Sequence, residues 1–146
     1  MNADRELPVV VSSIEGAHLA QSIKIGAHEL RADEPAVLGG ADSGPGPHDL
    51  LLAALGACTS MTLRLYAERK GWDLGQVTVR LGIRWEKVEG RSDKRVVIER
   101  IVESDRVLSP AQQARLIEIA DKCPVHKTLM GDKTVTTRLL AALPEA

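Results

Sequence analysis

Pro47-His48-Asp49-Leu50-Leu51-Leu52-Ala53-Ala54-Leu55-Gly56-Ala57-Cys58-Thr59-Ser60-Met61-Thr62-Leu63-Arg64-Leu65-Tyr66-Ala67-Glu68-Arg69-Lys70-Gly71 is the stretch on which the fold turns. Proline suits a first helical turn, where its missing N–H costs nothing, and no further proline interrupts the run before Gly71. The pattern predicts a central helix of about 23 residues, roughly 34 Å long. Leu51, Leu55, Cys58, Met61 and Leu65 recur at steps of three and four, which puts Cys58 on an apolar stripe facing the core or a partner. The charge-free part, Leu50 to Leu63, is fourteen residues, short of a bilayer span, so a buried helix is expected and no membrane partner.

Upstream, Val9 to Ile14, Leu19 to Ile25 and a short His28 to Arg31 read as strands of a meander. The segment Asp33 to Pro47 is rich in glycine and proline and reads as a loop. Downstream, Val77, Val79, Leu81, Ile83 and Trp85 alternate with Thr78, Arg80, Arg84 and Glu86, the period of a half-buried strand. Arg95 to Glu103 returns across the turn at Glu89 to Asp93 as a hairpin. Ser109, Pro110 and Gln112 carry the signature of a capped helix start. Leu116, Ile119, Ala120 and Cys123 continue that helix's apolar side until Pro124 ends it. Pro124 to Gly131 reads as a short extra turn, and Val135, Thr137 and Leu139 as a last strand. This is an α+β arrangement in which two amphipathic helices each carry one cysteine.

The chain has 146 residues, room for one domain spanning residues 1–146. Its 19 basic and 20 acidic residues give a net charge of −1, with no basic footprint for nucleic acid, and the three aromatics Tyr66, Trp72 and Trp85 offer no base-stacking surface. The start, charged at Asp4, Arg5 and Glu6, lacks a signal-peptide pattern, so a cytoplasmic location is expected. Gly39-Gly40 lacks the spacing of a phosphate loop, and no cofactor is expected. Two cysteines in a reducing compartment are not a structural staple. They are either small apolar fillers or chemistry. Cys123 and His126 form a Cys-x-x-His spacing, but a closed zinc site needs four ligands and no second pair matches, so no metal is expected.

Gly44-Pro45-Gly46-Pro47, the run Leu50 to Thr59 with its mid-helix Ala57-Cys58, and Ala120-Asp121-Lys122-Cys123-Pro124-Val125-His126 together resemble the OsmC/Ohr family of osmotically inducible and organic hydroperoxide resistance proteins. The resemblance runs from about Asp33 to Leu140. It implies an OsmC-like fold, two antiparallel sheets around two central helices in an intertwined homodimer, with a redox site near the subunit interface. It implies a thiol-dependent peroxidase in oxidative-stress defence. Cys58 would attack an organic hydroperoxide and Cys123, within disulfide reach, would resolve the sulfenic acid. A dithiol reductant such as a lipoyl protein would regenerate both thiols.

The nucleophile must be a thiolate, which an apolar stripe disfavours, and Cys58 lies about eleven residues into its helix, beyond useful reach of the dipole. A cation or donor is therefore needed. In the family's peroxidases an arginine serves, held by a glutamate ten residues before the first cysteine. Here that position is His48, followed by Asp49, and the arginines preceding Cys58 are Arg5 and Arg31. Arg31 and His48 are the candidate activators. Asp49 is also a candidate, although an acid in a first helical turn is favoured by the dipole alone. Two other readings stand beside the peroxidase: a dimeric small-molecule-binding protein without enzymatic activity, and a thiol-redox activity of another kind.

Overall fold

The computed structural model describes residues 7–142 and residue 144; the charged start at Asp4, Arg5 and Glu6 lies outside them. Among the described residues the fold is α+β, with two antiparallel sheets, three α-helices and one short 3₁₀ turn. Strands β1 (Val9–Ser13), β2 (Gln21–Ile25) and β3 (His28–Ala32) form the first sheet in that order. Ile25 faces His28 across the turn at Gly26, whose φ of 59° lies in the left-handed region that favours glycine. Helix α1 (Pro47–Lys70) follows, then the hairpin of β4 (Val77–Lys87) and β5 (Lys94–Ser104), then α2 (Pro110–Ala120) and α3 (Pro124–Met130). The chain divides into two compact units, Met1–Ala57 with Val79–Val102 and Cys58–Thr78 with Glu103–Ala146.

In the first unit the loop after β3 is built around one carboxylate. Asp33 is buried and accepts from the Ser43 hydroxyl at 2.6 Å and from the backbone N–H groups of Glu34, Ser43 and Ala41 at 2.8, 3.0 and 3.2 Å. These bonds, the Ser43 hydroxyl foremost, hold its pKa at about 2 against an ordinary 3.8. The loop also needs Gly40, because a Cβ there would lie 1.9 Å from the Glu34 carbonyl oxygen. Asp33 N–H donates to the Pro45 carbonyl at 3.0 Å, so the same knot fixes where α1 begins. Expected as loop throughout, this segment contains one short 3₁₀ turn, Ala36–Leu38.

Helix α1 starts where Leu50 N–H meets the Gly46 carbonyl. It ends in a Schellman motif: Gly71 at φ 70° donates to Glu68, and Trp72 donates to Ala67. By length and composition alone, α1 could cross a bilayer, further than its fourteen-residue charge-free stretch suggests. It is instead a core helix. The second unit's core joins its Leu63, Tyr66 and Ala67 to Leu74 and to Leu116, Ile119 and Ala120 of α2. Leu63 and Leu74 are fully buried, each contributing roughly 1.5–3 kcal/mol of transfer free energy. Tyr66 stacks edge-on against Trp72 and accepts from Arg115 Nε at 3.0 Å.

The buried face of α1 differs from the expected stripe by one step. Leu52, Leu55, Thr59, Leu63 and Tyr66 are inside, whereas Leu51, Met61 and Leu65 are exposed, the last two at 66% and 60%. Of the expected stripe only Leu55 is buried outright; Cys58 is half-buried. The α2 start is as expected, a capping box in which Gln112 N–H donates to Ser109 Oγ and Ser109 N–H to Gln112 Oε1. Among the described residues the stretch from Val135 to Leu139 forms no strand, and its Val135 and Leu139 are exposed.

Candidate active site

Cys58 and Cys123 are both reduced thiols, not joined in a disulfide. Cys58 lies in the middle of α1, half-buried, followed by Thr59, which is 0% exposed. Gly56, one turn-half earlier, lets β4 come close: a Cβ there would approach Leu81 Cδ1 to 2.7 Å.

Cys123 is not the last residue of α2, as the apolar stepping suggested. That helix ends at Ala120, and Cys123 is the N-cap of α3, with extended backbone before Pro124 at the first helical position. Its sulfur, 0% exposed, accepts from the His126 N–H at 3.3 Å. On its other flank stands Thr59 Oγ1, 3.8 Å away, either atom being able to donate. The second sulfur therefore touches the residue that follows the first cysteine. Cys-x-x-His thus serves here as a thiol cap, and the His126 ring faces Asp121 at 4.0 Å. At the far end of α3, Lys133 Nζ donates to the carbonyls of Thr128, Leu129 and Gly131, so the short helix is closed at both termini.

The other candidates carry different partners. Arg31, exposed on β3, donates from Nε to Ser43 Oγ at 3.0 Å, on the hydroxyl that itself donates to Asp33. His48, exposed in the first turn of α1, sets its ring edge-on to Trp85 with centroids 5.4 Å apart. Asp49 accepts from Gly46 N–H at 3.0 Å, the reach-back bond of a helix start. Thr59 went unnoticed in the sequence: Leu52, Leu55, Thr59 and Leu63 step by three and four, but so does the stripe through Leu51, Leu55 and Cys58, and the fold makes the choice between them.

Known proteins share this frame. A crystal structure of a candidate osmotic-stress-induced and detoxification-response protein from Psychrobacter arcticus 273-4 superposes with a TM-score of 0.72 at 20% identity, over 88% of this chain and 91% of that one. The organic hydroperoxide resistance protein OsmC of Legionella pneumophila gives 0.63 at 18% identity, over 89% and 93%. OhrB, the organic hydroperoxide resistance protein of Bacillus subtilis, gives 0.60 at 20% identity, over 85% and 91%. No curated protein matches the sequence significantly. The sequence profile described as OsmC-like protein matches residues 40–138, about two thirds of the chain, taking in both cysteines and all three helices. The chain belongs to the OsmC-like protein family.

Proposed function

We propose that this protein is a thiol-dependent peroxidase that reduces organic hydroperoxides through Cys58 and Cys123, serving oxidative-stress defence in the cytoplasm. The observation that carries the reading is the placement of the buried Cys123 sulfur against Thr59, the residue after Cys58. The Cys58 thiolate attacks a peroxide oxygen; the O–O bond breaks, an S–O bond forms, and the alkoxide takes a proton and leaves as an alcohol. Cys123 then attacks the sulfenic sulfur, forming the disulfide while hydroxide departs with the thiol's proton as water. A dithiol, such as a protein-borne lipoyl group, takes over the disulfide and restores both thiols. Two relatives of the same fold are organic hydroperoxide resistance proteins, which supports the substrate class.

Arg31 and His48 remain the proposed activators of Cys58, while the bond from Gly46 supports a capping task for Asp49. The family match runs across both compact units, which supports a single domain over residues 1–146. Exposed Met61 and Leu65 on a core helix support a homodimer that covers them. The test is a thiol count before and after one equivalent of cumene hydroperoxide. Rapid loss of two thiols is expected. Thiols that persist in the presence of hydroperoxide would leave a binding role for the fold.

A further inference from the structure

We infer that Thr59 is a positioning residue for the second half of the cycle, its buried hydroxyl holding Cys123 Sγ for attack on Cys58. The inference rests on the thiol-redox reading above and adds a residue to it. Thr59 and Cys123 are each 0% exposed, and their Oγ1 and Sγ meet at 3.8 Å. The hydroxyl lies deep in the apolar stripe of α1 with the Cys123 sulfur within its reach. Valine would fill nearly the same volume between Leu55 and Leu63. The sulfur is held from two directions, by the hydroxyl from α1 and by the His126 N–H from α3. Only the α1 partner shares a helix with Cys58 and moves with it.

In the step concerned, Cys123 sulfur bonds to Cys58 sulfur, the Cys58 S–O bond breaks, and the hydroxide leaves with the Cys123 proton as water. Thr59 is neither oxidised nor consumed. Its hydroxyl acts on aim, and a thiol displaced by a fraction of an ångström from the line of attack reacts far more slowly.

The experiment uses the full chain as Thr59→Val and Thr59→Ser, with cumene hydroperoxide in single-turnover mixing. Formation of the Cys58 sulfenic acid is followed with a dimedone-type probe and its decay by disulfide appearance. Thr59→Val is expected to form sulfenic acid within about twofold of the parent rate and to resolve it about ten- to a hundredfold more slowly, with the sulfenic acid persisting on Cys58. Thr59→Ser, which keeps the hydroxyl, is expected to restore most of the resolution rate. Resolution by Thr59→Val at the parental rate overturns the inference. So does equal slowing of both steps, or a serine variant as slow as the valine one. If valine prevents folding, Thr59→Ala is compared with Thr59→Ser by the same criteria. If the parent makes no sulfenic acid, the peroxidase reading fails on its own; diamide then drives disulfide formation without hydroperoxide, and equal rates for parent and valine variant overturn the role of Thr59.

Discussion

The Cys123 sulfur meets a threonine hydroxyl and accepts from the His126 backbone amide, and the sequence announces neither contact. The cysteines themselves were legible, because each stands in a short motif whose residue types are local. What Cys123 does was legible only in part: the apolar stepping placed it at the end of α2, but Pro124 lets its sulfur turn forward and cap α3 instead. Asp33 offers the clearest prediction at this scale. Its folded pKa is depressed to about 2 from 3.8, so its contribution to stability is fully present above about pH 4 and disappears as pH falls through 2. Urea midpoints of the parent and of Asp33→Asn are expected to differ most near neutral pH and to converge toward pH 2. A difference that stays constant with pH would show that the loop does not depend on the carboxylate charge.

At the scale of elements, short-range signals were read correctly. Ser109, Pro110 and Gln112 lie within one turn, and the capping box forms as the spacing requires. Ser109→Ala is expected to lower stability by about 1 kcal/mol, measured by chemical denaturation; an unchanged midpoint would remove the cap from the account. The buried face of α1 was read one step off for a physical reason. Leu50, Leu51, Leu52, Leu55, Met61, Leu63 and Leu65 spread over more than half of that helix's circumference, so the apolar face is too wide to single out the buried stripe. Tertiary neighbours such as α2 make the choice. Leu63→Ala, in the closed core with Leu116 and Ile119, is expected to cost about 2–5 kcal/mol, whereas Leu65→Ala leaves the single subunit's core intact. Similar losses from both would mean that Leu65 is covered as fully as Leu63.

For the whole molecule, the α+β class and the order of elements followed from periodicity and turn chemistry, while the alternation at Val135, Thr137 and Leu139 did not yield a strand. A strand's hydrogen bonds belong to a neighbour, and alternation alone does not supply one. Those exposed residues join Met61 and Leu65 as apolar surface that a lone subunit leaves wet. A dimeric mass by sedimentation at micromolar concentration is the expected outcome, and a monomer would count against the proposed homodimer.

The central claim, that the two thiols hold unequal jobs in one reaction, is tested most directly by hydroperoxide consumption in the two serine variants. Cys58→Ser is expected to consume none, because a hydroxyl at neutral pH is not the nucleophile that a thiolate is. Cys123→Ser is expected to consume one equivalent in a fast burst and then slow sharply, its Cys58 sulfenic acid lacking an internal partner and taking a second equivalent only slowly as it is oxidised to sulfinic acid. If both variants consume hydroperoxide as the parent does, the two cysteines are not its redox pair.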